Sequence, residues 1–296
     1  MKVYSIGSLN IDYVYKVPHF VRAGETLAST EMNVFPGGKG LNQSIALKKA
    51  GLDVLHIAPI GEDGDFLLNT LSEAGVNTEK IIKTSGKSGH AIIEVDANGQ
   101  NSILLYRGTN FKFTREYIEE ALKDAEKGDA LVLQNEINAL SDIFKIAKEK
   151  GLAVAFNPSP FNETIGKLPL QNVKWLFVNE VEGEELFGSS DPEIIADRFL
   201  EKYPESNLVL TLGKNGCLYA DKNERLTQEI FAVPVVDTTA AGDTFSGYFL
   251  SSVLKGKAPK EAIKIASAAS AIAVSRAGAS VSIPYYEEVE EFLEKK

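Results

Sequence analysis

Between residues 127 and 212 the chain alternates between short apolar runs and longer amphipathic stretches, and this alternation limits the possible folds more than any other feature. The apolar runs lack polar alternation, which is typical of strands buried on both faces of a parallel sheet. The predicted strands are 130–133, 153–156, 175–178 and 208–212, and the helices between them end near 150, 187 and 203. We therefore predict an α/β fold with a doubly wound, mostly parallel central sheet flanked by helices.

Polar side chains stand just beyond each of these predicted strands. They are Gln134-Asn135-Glu136, Asn157, Asn179-Glu180-Val181-Glu182 and Thr211-Leu212-Gly213-Lys214-Asn215-Gly216. A single Asn or Glu at such a position is usually a helix cap. Ligands of open α/β sheets bind outside the carboxyl ends of the strands, so the repetition predicts one polar crevice there.

The stretch from Val235 to Phe245 is where we expect the chemistry. Small residues, Ala240, Ala241 and Gly242, precede a helix whose apolar positions recur at helical spacing, so the first N–H groups of that helix are open to an anion. Asp243 stands at this positive helix end as a candidate base. Taken alone, such a Gly-Asp pair is more commonly an ordinary helix start.

A second polar cluster follows the first predicted strand. Asn10 and Asp12 are two residues apart in an extended segment, so they share a face and can bind two hydroxyls of one ligand, although a capped turn is an equal alternative. Gly37, Gly38 and Gly40 then predict backbone close to a ligand, with Lys39 and Asn42 reaching it from a helix start, although a purely structural glycine turn is an equal alternative. Neither this loop nor residues 81–88 match a P-loop. The loop has Asn33 at the position of the first glycine and Gly40 at the hydroxyl position, and residues 81–88 have Ile81 at the position of the first glycine.

Alternating segments within about 11–36 and 88–107 predict a small β-sheet outside the α/β repeat, with a turn at Asp96-Ala97-Asn98-Gly99. Such a sheet is a candidate lid or dimer surface. We expect residues 1–296 to form one domain with this lid inserted, because no linker or composition break divides the chain.

Charge and cysteine content exclude several classes of function. The formal net charge of −10 predicts no binding to nucleic acid or to anionic membranes. The single cysteine, Cys217, excludes an internal disulfide and reads as a buried inert thiol. No signal segment or long apolar run is visible, so we expect a cytoplasmic protein.

Together these motifs resemble the ribokinase or PfkB-type family of carbohydrate kinases over nearly the whole chain. The matching stretches are Gly7-Ser8-Leu9-Asn10-Ile11-Asp12, Gly37-Gly38-Lys39-Gly40-Leu41-Asn42-Gln43, Gln134-Asn135-Glu136, Asn157-Pro158-Ser159-Pro160, Asn179-Glu180-Val181-Glu182, Thr211-Leu212-Gly213, the run from Asp237 to Phe245, and Arg276-Ala277-Gly278-Ala279. The resemblance implies ATP-dependent phosphorylation of a primary hydroxyl, which gives ribose 5-phosphate if the sugar is D-ribose.

The resemblance also implies a role for each site residue. Asp243 matches the catalytic base, and the amides of Ala240, Ala241, Gly242 and Asp243 match the anion hole over the γ-phosphate. The implied sugar-binding positions are Asn10, Asp12, Gly38, Lys39, Asn42 and Glu136. The implied nucleotide contacts are Asn179, Thr211, Gly213, Gly216 and Gly242. Glu182 resembles the residue that organises Mg²⁺ through water, and the positions around an activating K⁺ are Asp237, Thr239, Ala273, Arg276, Gly278 and Ser282.

Two departures from the family pattern concern the acceptor. Leu41 replaces the usual alanine of the glycine loop, and Tyr106-Arg107-Gly108-Thr109-Asn110 replaces a small-residue stretch. Arg107 at the lid edge either meets an anionic substrate or is solvated. We expect a ribose kinase that dimerises through its lid, with another pentose or ketose, a nucleoside or a sugar phosphate as alternative acceptors. A non-catalytic sensor on the same fold and a Rossmann dehydrogenase are weaker alternatives, because the candidate base is intact and no Gly-x-Gly-x-x-Gly follows the first strand.

Overall fold

The computed structural model describes residues 1–296. In chain order the strands are β1 (Val3–Ile6), β2 (Asn10–Lys16), β3 (Glu31–Gly37), β4 (Val54–Ile57), β5 (Pro59–Ile60), β6 (Ile82–Lys83), β7 (Gly89–Val95), β8 (Asn101–Tyr106), β9 (Ala130–Gln134), β10 (Ala153–Asn157), β11 (Val173–Asn179), β12 (Asn207–Thr211), β13 (Cys217–Ala220) and β14 (Arg225–Gln228). The helices are α1 (Lys39–Lys49), α2 (Asp65–Glu73), α3 (Arg115–Ala121), α4 (Leu140–Lys150), α5 (Glu180–Phe187), α6 (Pro192–Lys202), α7 (Ala241–Leu254), α8 (Pro259–Val274) and α9 (Tyr286–Glu294).

The central sheet has eight strands in the order β14-β13-β12-β11-β10-β9-β1-β4. Its strands run parallel from β4 to β12, and β13 and β14 join antiparallel at one edge. Strand β9 is buried along its whole length. Because both faces of such a strand are buried, its sequence does not alternate between polar and apolar residues. The predicted α/β fold with a mostly parallel sheet is confirmed.

The strand order reverses between β1 and β9. From β1 the chain crosses through α1 to β4, and it later returns to β9 on the other side of β1. Right-handed crossovers that step in opposite directions place their helices on opposite faces of a sheet. Helices α1 and α8 both pack against α7 on one face, while α4, α5 and α6 connect strands between β9 and β12. The loops diverge at this reversal and leave a crevice at the carboxyl ends of the strands.

A separate four-stranded sheet, which we call the lid sheet, has the order β3-β2-β7-β8. Strands β2 and β7 are parallel, and the other two pairs are antiparallel. The prediction of a small sheet outside the α/β repeat is confirmed, and strand β3 occupies only the last part of the predicted segment 11–36. The strand begins at Glu31, opposite Lys16, because its partner β2 ends there and offers earlier residues no further pairing.

One apolar cluster of 69 buried residues forms the core. Cys217 lies within it, and burial raises the pKa of its thiol to about 11, as expected of an inert group. Leu41 is also fully buried there, so this departure from the family pattern fills core space. None of the helices combines the length and apolar character that a membrane span requires.

Candidate active site

The turn before α7 has the open helix start that the sequence indicates. Ala240 adopts a left-handed conformation with φ of 60°, and the helix begins at the next residue. The N–H of Ala241 donates to the Thr238 carbonyl at 3.2 Å, whereas the N–H groups of Ala240, Gly242 and Asp243 have no acceptor in the protein. No atom lies within 4 Å of the position a side chain would take at Gly242. These amides can therefore bind an anion.

Asp243 is buried but lines a cavity of about 760 Å³. Each of its carboxylate oxygens accepts one hydrogen bond from a side-chain amide of α1. Asn42 Nδ2 donates to Oδ2 at 3.1 Å, and Gln43 Nε2 donates to Oδ1 at 3.0 Å. The side chain is thus held in one orientation at the cavity wall, where a carboxylate can accept a proton from a group bound in the cavity.

Close packing of α1 against α7 explains how these residues meet. A side chain at Gly247 would come within 2.5 Å of the Ala46 Cβ, so only glycine lets the helices approach this far. Asp243 lies about one turn before Gly247, and Asn42 and Gln43 lie about one turn before Ala46. This packing brings Asp243 into contact with Gln43 and Asn42, which lie 200 and 201 residues before it in the sequence.

The glycines of the loop before α1 let two backbone segments pack directly against each other. A side chain at Gly40 would meet the Gly7 carbonyl carbon at 2.5 Å, and Gly38 has φ of 95° at the cap of α1. The loop therefore presses the start of α1 against the end of β1. At Gly40 the near neighbours are Gly7 and Ser8, so glycine is required there for the packing of the protein itself.

The predicted sugar residues gather at the junction of β1, β2 and α1. Glu136 accepts hydrogen bonds from Ser8 Oγ and, at 3.0 Å, from the Lys39 amide. Asn10 Oδ1 accepts from Asn110 Nδ2 at 2.7 Å, so its own Nδ2 remains available to a ligand. Sequence reasoning did not identify Asn110 or Ser8 as supporting residues, because their partners are about a hundred or more residues away.

Asp12 differs from its neighbours because no group in the protein donates a hydrogen bond to it. Burial, followed by the negative charge of Glu136, raises the pKa of its carboxyl group to about 7. A side chain at Gly37 would overlap the Asp12 carboxylate, so glycine on β3 makes the space in which it sits. Asp12 is therefore a carboxylate without internal partners.

Lys39 brings positive charge to this acidic site. Burial lowers the pKa of its ammonium group, but Asp243, Glu136 and Glu182 together outweigh burial, and the net pKa is raised. The lysine therefore remains charged and lines the same cavity as Asp243 and Glu182. It can compensate both the local carboxylates and an incoming anion.

The predicted nucleotide residues line the other part of the cavity. Asn179 and Glu182 form a capping box at the start of α5, with hydrogen bonds of 2.9 Å and 3.1 Å, and Ser159 Oγ donates to the second oxygen of Glu182. Thr211, Gly213 and Gly216 follow on the same wall. Sequence reasoning missed the apolar segment from Ile230 to Val235, which supplies much of the remaining lining and whose only signal was an apolar run.

The residues predicted around a monovalent cation lie in the loop before α7, at the end of α8 and in the loop that follows α8. Asp237 accepts from the Thr239 amide at 2.9 Å, from Thr239 Oγ1 at 2.6 Å and from the Gly278 amide at 3.0 Å. Burial acts to raise the pKa of Asp237, but these hydrogen bonds outweigh it, and the pKa is lowered. Ala273 at the end of α8 and Ser282 in the loop that follows are both buried. The Arg276 side chain forms an ion pair with Glu288.

Arg107 does not join the cavity lining. Its guanidinium carbon lies 4.4 Å from the centre of the Phe111 ring, and the side chain is exposed. No group of three or more His, Cys, Asp or Glu side chains is arranged to hold a metal ion.

Comparison with known proteins gives consistent results. Residues 1–285 match the family model of the pfkB family carbohydrate kinases. The chain is 37% identical to ribokinase of Staphylococcus aureus, over 97% of this chain and 98% of that protein. The crystal structure of ribokinase from Thermotoga maritima superimposes with a TM-score of 0.87 at 38% identity, covering 99% of each chain. The structure of Arabidopsis thaliana ribokinase complexed with ribose and ATP has a TM-score of 0.88 at 26% identity, covering 99% of this chain and 98% of the other.

Proposed function

The chain belongs to the pfkB family of carbohydrate kinases, and we propose that it transfers the γ-phosphoryl group of ATP to the primary 5-hydroxyl of D-ribose. The observation that carries the proposal is the Asp243 carboxylate, which two amide donors hold at the cavity wall beside the unpaired N–H groups of Ala240 and Gly242. Ribokinase relatives at full length support ribose as the acceptor.

In the proposed reaction Asp243 accepts the proton of the 5-hydroxyl. The hydroxyl oxygen forms a bond to the γ-phosphorus, and the bond between that phosphorus and the bridging oxygen of ADP breaks. A loose phosphoryl transition state needs orientation and charge neutralisation more than a strong base. The helix-start amides of Ala240, Gly242 and Asp243 and the charged Lys39 would supply that neutralisation.

The sugar would lie between the lid sheet and the start of α1. Asn10 Nδ2 is a free donor, and Asp12 is an acceptor that lacks internal partners. Gly38, Lys39, Asn42 and Glu136 complete the proposed set. Asn42 Oδ1 is buried and has no partner in the protein, which supports its role as an acceptor for a sugar hydroxyl.

ATP would occupy the wall formed by Asn179, Thr211, Gly213 and Gly216, next to the apolar segment from Ile230 to Val235. Glu182 fits a Mg²⁺ ion that is held through water, because its carboxylate is buried at the cavity and no other acidic side chains form a direct ligand set. When bound, the ion would neutralise phosphate charge. The protein's own share is to fix Glu182 through Ser159 and Asn179.

We also propose a K⁺ site at the two loops that carry Asp237 and Gly278. The ionised Asp237 fits a cation, and Thr239, Ala273, Arg276, Gly278 and Ser282 would contribute mainly through backbone carbonyls. The loop lies directly before the helix start of α7. A cation there would therefore stabilise the turn that presents the anion-binding amides.

We further propose that residues 1–296 act as one domain and that two copies of the chain associate through their lid sheets. Val34, Tyr13, Ile92 and Leu104 follow one another across one face of this sheet, opposite to the face of Asp12, and all of them except Tyr13 are exposed. A contiguous apolar face of this kind is typical of an interface. Dependence on ATP and a lone buried thiol support a cytoplasmic location.

The experiment is a substrate panel in a coupled assay of ADP release, run with and without K⁺. D-ribose should give the highest kcat/KM, and ³¹P NMR of the product should identify the phosphate on O5. The solvated position of Arg107 offers no support for a sugar phosphate acceptor. Faster phosphorylation of fructose 6-phosphate or of a nucleoside would contradict the assignment.

A further inference from the structure

Two glutamines form a buried chain of amides that ends on Asp243. Gln134 Nε2 donates to Gln43 Oε1 at 2.7 Å, and Gln43 Nε2 donates to Asp243 Oδ1 at 3.0 Å. Gln134 comes from the end of β9 and Gln43 from α1, and both are almost fully buried. Neither side chain lines the large cavity, so neither can contact a substrate there.

The direction of this chain follows from the chemistry of its members. An ionised carboxylate only accepts hydrogen bonds, so Gln43 must turn its NH₂ group toward Asp243 and its carbonyl toward Gln134. Gln134 then must donate, which leaves its own Oε1 buried and without a partner. Gln134 thus keeps an unsatisfied acceptor, and Gln43 can present only its donor to the carboxylate.

We infer that Gln43 is a positioning residue that fixes the orientation and the ionised form of the Asp243 carboxylate, and that Gln134 acts through Gln43. This inference rests on the proposed role of Asp243 as the base. Gln43 and Asn42 occupy one lone pair on each oxygen and leave the others for the sugar hydroxyl. A neutral donor does this without adding a positive charge that would make the base weaker.

The charged groups around Asp243 do not replace this contact. Lys39 from the start of α1 is the cation on which Asp243 acts, and Glu136 after β9 and Glu182 from α5 are the other two carboxylates that act on the same ammonium group. None of the three donates a hydrogen bond to Asp243. The orientation of the carboxylate therefore depends on the amides of Asn42 and Gln43.

The test removes each glutamine separately. Gln43→Met keeps the length of the side chain but removes the donor, and kcat should fall roughly tenfold to hundredfold while the KM values for sugar and ATP change by less than about threefold. The acid limb of the kcat profile should move to higher pH, because the ionised carboxylate loses a donor. Gln134→Met should cause a smaller change in the same direction.

The double variant Gln43→Met/Gln134→Met should be no slower than Gln43→Met, because Gln134 acts through Gln43. Gln43→Glu keeps the side-chain volume and places a second carboxylate beside the base, so it should shift the acid limb furthest. Effects of the two methionine variants that multiply, or an unchanged acid limb in both Gln43 variants, would show that the inference is wrong.

Ser44→Ala is the matched control. Ser44 follows Gln43 in α1, is fully buried and is hydrogen-bonded to Ser5 and His56 instead of Asp243. This variant should lower thermal stability and leave the pH profile in place. The Asp243→Asn variant distinguishes a failure of the proposed base from a failure of the positioning role of Gln43. If it retains near-normal kcat, the proposed base is wrong. If it is inactive while Gln43→Met behaves like Ser44→Ala, only the positioning role fails.

Discussion

Two carboxyl groups of the candidate site, Asp243 and Asp12, are prepared in opposite ways. Asp243 receives one amide hydrogen bond on each oxygen, from Asn42 and Gln43. Asp12 receives none, and burial together with the charge of Glu136 raises the pKa of its carboxyl group to about 7. Asp243 therefore has hydrogen-bond donors in the ligand-free protein, and Asp12 has none.

The difference originates in the elements that carry them. Asp243 stands at the start of α7, where close packing at Gly247 brings the amides of α1 into reach. Asp12 lies on β2 of the lid sheet, in a space left by Gly37 and under the influence of the negative charge of Glu136. In the proposed roles, the carboxylate that accepts the proton is fixed in advance, and the carboxylate that recognises the sugar obtains its donors from the ligand.

Asp243→Asn tests the first half of this comparison and should have the largest effect. The amide keeps the size of the side chain but cannot accept the hydroxyl proton, so kcat should fall about 10²- to 10⁴-fold. Steady-state kinetics measure this loss, and calorimetric titration should show sugar and ATP binding within a few-fold of the wild type. Turnover close to that of the wild type would remove Asp243 as the base.

Asp12→Asn tests the second half, with an intermediate effect on sugar affinity. Loss of the charged acceptor should raise the Kd for D-ribose roughly 10- to 100-fold at pH 8. Because sugar hydroxyls donate to the ionised form, wild-type affinity should rise about tenfold from pH 6 to pH 8, and the variant should lack this dependence. Titration calorimetry at both pH values measures it, with ATP affinity as the internal control. An equal pH dependence in the variant would contradict the interpretation.

The sequence could predict the parts of the fold and site that depend on local pattern. Buried parallel strands read as apolar runs, so the central sheet was correctly predicted, as was the separate lid sheet. The helix start at Ala241 also follows from small residues before an apolar period. The roles proposed for the individual site residues stay predictions until they are measured.

The remaining features depend on contacts between distant segments. Gln43 is adjacent to Asn42 in the glycine loop, yet its link to Asp243 exists only because Gly247 and Ala46 let two helices approach closely. The raised pKa of Asp12 results first from burial and then from the charge of Glu136, which lies more than a hundred residues later. The sequence patterns of strand β4 and helix α2, by contrast, are too short to distinguish a strand from a helix.

The smallest expected effect concerns the stability of the ligand-free protein. The pKa of Asp12 is about 7 in the folded protein and 3.8 in the unfolded chain. The folded state therefore binds this proton more tightly, and the stability that the proton contributes is lost as pH rises through 7. Between pH 6 and pH 8 the free energy of unfolding should fall by about 1.4 kcal/mol through this group alone.

Urea titrations of the wild type and of Asp12→Asn at both pH values isolate the contribution, because all other titrating groups are shared. A saturating sugar concentration should remove most of the difference, since the bound hydroxyls supply the donors that Asp12 lacks. If the two proteins lose stability equally between pH 6 and pH 8, Asp12 is already ionised in the ligand-free site, and the contrast with Asp243 does not hold.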